Sequence, residues 1–114
     1  LWAWAAVERE AARREHVFVA VGRALRRLHD AGATHPDLNL NNVLVRERDG
    51  RPEVFLLDFD RAQMPLASVD GAADFRRLRR SARKLDPEGV VVAAGELELI
   101  ERASRAHVPV HPEA

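Results

Sequence analysis

The stretch LHDAGATHPDLNLNNVLVRERDGRPEVFLLDFDR, residues 28–61, decides how the rest of the chain is read. It holds two polar clusters, His35 to Asn42 and Asp58 to Arg61, each against a short apolar run. Those runs, Asn42 to Val45 and Glu53 to Leu57, are β-prone, and residues 46–52 between them contain the Asp, Gly and Pro that favour turns. A hairpin is expected. Because a hairpin returns the chain to its starting edge, Asp37, Asn42 and Asp58 are expected at one mouth despite their separation in sequence.

Outward from this stretch the pattern is helical. From Val7 to Ala31 the chain is rich in Ala, Arg, Glu and Leu, and Phe18, Val21, Leu25 and Leu28 recur at helical spacing, which predicts one long amphipathic helix. Gly32 is placed as its left-handed C-cap, and Ala33 to Asn41 follow as a loop. Downstream, Ser68 or Asp70 is placed to cap a helix reaching about Leu85, with Phe75, Leu78, Ala82 and Leu85 as its apolar stripe and arginine opposite. A short helix over Glu96 to Ala106 and a loose tail from Val108 complete the expectation.

Composition bounds what such a chain does. Its 114 residues exclude a second complete domain, and 46% hydrophobic with 32% charged residues indicates a globular chain with a modest core. Eighteen basic residues balance eighteen acidic ones, so no overall field draws it to nucleic acid, and no nucleic-acid partner is expected. Lys84 is the sole lysine, a bias that fits a high-GC genome. Cysteine is absent, which removes disulfides, cysteine zinc sites and thiol nucleophiles and fits a reducing, cytoplasmic compartment. No apolar run approaches the roughly 20 residues that span a bilayer, so a soluble or peripheral chain is expected. The sequence begins as though inside a helix, which suggests a fragment of a longer protein, with Trp2 and Trp4 packing on the part not included.

The chemistry lies in the two polar clusters. Asn42 and Asp58 are oxygen ligands suited to a hard cation such as Mg²⁺, which takes few protein ligands and keeps positions for water and phosphate. Asp37 is then left as a base able to accept the proton of an attacking hydroxyl. Asp37 with Asn42 five positions on, followed by Asp58-Phe59, resembles the kinase catalytic loop and its metal-binding Asp-Phe motif. HisProAspLeuAsn at 35–39, AspPheAspArg at 58–61 and the arginine-rich helix after them are similar to the lipopolysaccharide kinases, above all the 3-deoxy-D-manno-octulosonic acid (Kdo) kinases, over Val17 to Leu85.

The resemblance implies an α+β fold, the mostly helical C-terminal lobe of a protein-kinase-like domain with a small β-hairpin. Residues 1–114 would then be a partial domain lacking its N-terminal lobe, and nearly inactive alone. It implies ATP and Mg²⁺ as cofactors, Asp37 as catalytic base, Asn42 and Asp58 as metal and nucleotide-phosphate ligands, His35 as loop organiser and Phe59 as a packing spine. The implied reaction is phosphorylation of a Kdo hydroxyl on Kdo-lipid A, at the cytoplasmic face of the inner membrane with peripheral contact.

Departures from the kinase pattern narrow the reading. Pro36, Asn39 and Asp60 stand where Arg, Lys and Gly are usual, and no AlaProGlu-like element follows Asp58, so a small-molecule kinase fits better than a regulated protein kinase. Asp60 is a candidate second-metal ligand and Arg61 a candidate contact for an anionic sugar or lipid phosphate, with a plain loop ion pair as the competing reading. Arginines 76, 77, 79, 80 and 83 form either a patch for anionic lipid or a solvated helix face. His16, His29, His107 and His111 share no metal-ligand spacing and are expected at the surface or at caps. Kinases of the aminoglycoside or choline type share the loop chemistry and remain the alternative, as does a non-catalytic pseudokinase.

Overall fold

Phe18, Val21 and Leu25 stand three and four residues apart on one helix face, and all three are fully buried. At about 1.5–3 kcal/mol for each large side chain removed from water, such a stripe outweighs helix propensity in holding the helix. The computed structural model describes residues 1–57 and 71–105. Helix α1 spans Trp2–Val7 and α2 spans Ala11–Asp30. A 3₁₀ turn at Leu40–Asn42 leads into strands β1 (Val43–Arg48) and β2 (Arg51–Leu56), and helices α3 (Gly71–Leu85) and α4 (Ala94–Arg105) follow. The result is mostly helical with one small antiparallel sheet, the α+β architecture expected from the sequence.

The long helix expected from Val7 breaks at Glu8, whose backbone is extended (φ −76°, ψ 127°). Arg14 explains the break. Its guanidinium reaches back to the carbonyls of Ala5 (2.8 Å) and Glu8 (2.6 Å), so the open end of α1 finds its donors there. The Glu8 carboxylate meanwhile accepts the N–H groups of Arg9 and Glu10, each at 3.1 Å. At the other end of α2 Gly32 does turn left-handed (φ 83°). Its N–H bonds the His29 carbonyl and that of Ala33 bonds Leu28, a Schellman closure.

The hairpin is longer, and its turn tighter, than residues 46–52 suggested. Asp49 and Gly50 alone make the turn, at φ 53° and 77°, so pairing runs from Val43↔Leu56 to Arg48↔Arg51. Both positive φ values match the right-handed strand twist, which is why Asp-Gly closes a two-residue loop here. One sheet face, Val43 with Leu56 and Val45 with Val54, packs on the core, whereas Leu44 and Phe55 face outward and are exposed.

Leu38 and Leu40 from the loop, Val43 from β1, Phe75 and Leu78 from α3 and Ile100 from α4 fill the space around α2. Gly22 lets α4 approach α2 closely: a Cβ there would stand 2.5 Å from both the Ala103 Cβ and the Ile100 carbonyl oxygen. Trp4 meets Phe18 edge-on at 6.1 Å, so it packs within this segment, contrary to the expectation that it served a part not included. Helix α4 starts two residues before Glu96, because the Glu96 carboxylate accepts the Ala93 N–H and closes the first turn. The expected caps Ser68 and Asp70, Ala106 and the tail from Val108 lie outside the described residues.

Candidate functional site

The loop between α2 and β1 is held by its own polar side chains. Asn39 accepts the N–H groups of Asn41 (2.8 Å) and Asn42 (3.2 Å), while Asn42 Oδ1 accepts the Asn39 N–H at 2.9 Å, a reciprocal capping box. Asn42 Nδ2 and Asn39 Nδ2 then both donate to the Asp37 carbonyl, at 2.9 and 3.0 Å. Asn42 is therefore buried, at 4% exposure, with its amide orientation set by two bonds. Its Oδ1 has one further lone pair, the donor a hard cation needs. Asp37 itself is exposed at the surface of the loop.

The hairpin brings the other cluster's approach to the same place. The Leu57 N–H donates to the Asn42 carbonyl at 2.8 Å, and His35 Nε2 donates to the Leu57 carbonyl at 2.5 Å. Asp37 and Asn42 are thus brought together, and the residue preceding Asp58 is bonded to both Asn42 and His35. Asp58, Phe59, Asp60 and Arg61 lie outside the described residues.

Beneath the loop sits Asp74 of α3, fully buried. Its carboxylate accepts the His35 N–H at 3.0 and 3.2 Å, His29 Nε2 at 2.8 Å and Arg77 Nη1 at 2.7 Å. A buried carboxylate is tolerated only when so paired. Ser81 makes a second tie, accepting the Leu40 N–H at 3.0 Å and donating to the Leu78 carbonyl. Between loop and α3 runs an open cleft of about 500 Å³, bordered by Asp37, Asn41, Asn42, Arg80 and Lys84 with Pro36 and Leu85 as apolar wall.

The loop thus sets a buried, oriented asparagine five residues after an exposed aspartate and is itself tied to α3 through His35 and Leu40. A sequence profile described as the lipopolysaccharide kinase (Kdo/WaaP) family matches residues 1–93. The chain belongs to the lipopolysaccharide kinase (Kdo/WaaP) family. It is similar to the 3-deoxy-D-manno-octulosonic acid kinase of Photobacterium profundum, 40% identical over 67 residues, which is 59% of this chain and 27% of that protein. The enzymes of the same name from Vibrio cholerae (31% over 70 residues) and Haemophilus influenzae (33% over 70 residues) cover 61% of this chain and 28% and 29% of their own lengths. The matched segment is therefore under a third of each relative.

In this member of the lipopolysaccharide kinase family, sequence reasoning missed Asp74 and misplaced His29. His29 was expected at the surface or a cap, yet its ring is only 11% exposed and is bound to Asp74. The pattern did contain a sign: Asp74 stands at i, i+4 and i+8 with Leu78 and Ala82, so it shares their buried face. The helical arginines also separate. Arg79 stacks on the Phe75 ring at 5.1 Å and borders another cleft with Arg83, while Arg77, tied to Asp74, borders the loop cleft with Arg80, so the five do not form one continuous patch. His16 is exposed as expected, and His107 and His111 lie outside the described residues. Among the described residues no helix is long and apolar enough to cross a membrane.

Proposed function

We propose that this chain carries the catalytic loop of an ATP-dependent kinase that phosphorylates a hydroxyl of Kdo on a lipid A precursor. The observation that carries the reading is the Asn42 side chain, buried and bonded to the Asp37 carbonyl at 2.9 Å, which couples the candidate ligand to the candidate base. Asp37 takes the proton of the acceptor hydroxyl as its oxygen attacks the γ-phosphorus and the bond to the bridging oxygen breaks to release ADP; exposure on the loop suits a base that must meet a second substrate. Asn42 through Oδ1, with Asp58, would hold Mg²⁺; the ion, when bound, neutralises charge on the transferred phosphoryl group. Asp60 and Arg61 are proposed for a second ion and for an anionic acceptor group. His35, which donates to the Leu57 carbonyl, keeps the loop in register with the strand that precedes Asp58.

The exposed cross-strand pair Leu44 and Phe55 offers an apolar face for the nucleotide base, next to Asn42 in the chain. Because the segment matches under a third of its relatives, we assign it to the C-terminal lobe of a kinase-like domain whose phosphate-covering lobe comes from sequence outside it. The similarity to 3-deoxy-D-manno-octulosonic acid kinases favours Kdo over other small alcohols as acceptor, and an acceptor attached to lipid A would bring the enzyme to the inner face of the inner membrane.

The test is phosphate transfer from ATP to Kdo-lipid A by the full-length gene product, beside a panel of small alcohols. Asp37→Ala is expected to lower turnover at least about 10²-fold. Turnover near that of the unmodified protein removes Asp37 as base.

A further inference from the structure

Helix α3 carries six cations, and the fold gives them different surroundings. Arg77 is tied to buried Asp74. Arg79 lies over Phe75, and Arg79 and Arg83 border a different cleft that contains Asp86. Arg80 and Lys84 stand one turn apart, both exposed and both on the cleft that Asp37 borders, where Arg77 also lies; Arg76 is exposed outside that lining. Among the described residues neither makes an ion pair, and neither does Arg83 on the other cleft, so it is the position on the Asp37 cleft that sets Arg80 and Lys84 apart. Two like charges at i and i+4 repel, so the arrangement costs stability unless an anion lies between them.

We propose that Arg80 and Lys84 hold the anionic group of the acceptor, a carboxylate or a phosphate, in the cleft beside Asp37. The inference rests on the kinase reading above and names the residues that select an acidic acceptor. The cleft, about 500 Å³, falls within the range of small-molecule sites. Its apolar wall of Pro36 and Leu85 suits the C–H face of a sugar, and its cations stand on one side only. Arginine supplies a planar fork and lysine a point charge, a pairing that suits either anion. An acceptor so held presents its hydroxyl to the loop rather than to bulk water.

The experiment is calorimetric titration of the full-length gene product with three probes: free Kdo, its methyl ester and a phosphorylated glucosamine. Binding of Kdo but not the ester identifies a carboxylate, and binding of the phosphosugar identifies a phosphate. Arg80→Ala and Lys84→Ala are each expected to weaken the bound probe about tenfold, the scale of one hydrogen bond to a charged group. Arg80→Glu is expected to abolish binding. Arg83→Ala removes the same charge from another part of the helix and is expected to leave affinity as it was. The proposal is overturned if no anionic probe binds, if Arg83→Ala matches Arg80→Ala, or if the substitutions weaken ATP instead. Charge-dependent binding by a protein that transfers no phosphate sinks the kinase reading, and with it the acceptor role, while the anion site at Arg80 and Lys84 stands. Transfer that ignores Arg80 and Lys84 does the reverse.

Discussion

Asp74 holds three donors from three parts of the chain: the His29 ring of α2, the His35 backbone N–H of the loop and the Arg77 guanidinium of α3. Asp74→Ala strands the buried His35 N–H and takes the partner from the largely buried His29 ring, at a cost of roughly 3 kcal/mol. Asp74→Asn keeps the shape and one acceptor and is expected to cost less, so the two midpoints of chemical denaturation should fall in that order. Equal midpoints would show that the retained shape and single acceptor contribute nothing and that the carboxylate acts through its charge alone. Since His35 also bonds Leu57, both variants are expected to lower phosphate transfer beyond their loss of folded protein. The loop that brings Asp37 and Asn42 together was legible in the sequence, because its Pro, Asp and Asn residues bond locally and stop the helix. Asp74 was not, because a carboxylate in a first helical turn normally serves the helix dipole at the surface, and only the position of His35 above it makes it an anchor.

At the scale of elements, the crossing of α2 and α4 depends on Gly22. Glycine in a helix interior ordinarily costs about 1 kcal/mol relative to alanine, so Gly22→Ala would stabilise an isolated α2. In the fold its Cβ meets Ala103 and the Ile100 backbone at 2.5 Å, and a carbonyl cannot step aside as a side-chain tip can. Overpacking of this kind costs about 1–3 kcal/mol and exceeds the propensity gain. Gly22→Ala is therefore expected to lower the denaturation midpoint, and a raised midpoint would mean that the helices separate without cost. The apolar stripe of α2 was readable from its period, as was the Gly32 stop. The break at Glu8 was not: propensity favours a continuous helix, and Arg14 opposes it by capping α1 with a guanidinium held in place by Glu96.

Across the whole molecule, Arg14 ties α1, α2, the segment before α4 and α4 itself. Besides Ala5 and Glu8 it donates to the Val91 carbonyl at 2.5 Å and to both Glu96 oxygens at 2.8 and 2.9 Å. Burial alone would push the Glu96 carboxyl up, but the Arg14 bond and the Ala93 N–H hold it below its ordinary value. The Val92 N–H, helped by Val90 and Val91, likewise holds Asp86 low against slight desolvation. A depressed folded-state pKa means that the unfolded chain takes up protons first. The stabilisation is therefore complete above about pH 4.5, the ordinary Glu96 value, and is lost as pH falls through the lower folded values. Melting temperature is expected to hold near neutrality and drop below about pH 4.5, and Glu96→Gln should flatten that drop; an unaltered acid limb would place the acid sensitivity elsewhere.

The sequence by itself determined the apolar stripe of α2, its Gly32 stop, the hairpin and the Asp37 to Asn42 spacing. Each depends on residues within a turn or a few of one another, where backbone geometry and side-chain period leave few options. Only the tertiary structure decided that Asp74 lies under the loop, that Arg14 reaches Glu96 across 82 residues, and that Arg80 and Lys84 face the cleft while Arg79 lies over Phe75. Those outcomes depend on how helices far apart in the chain rotate against one another. That rotation is chosen by packing around Phe18, Leu78 and Ile100, which no local pattern contains.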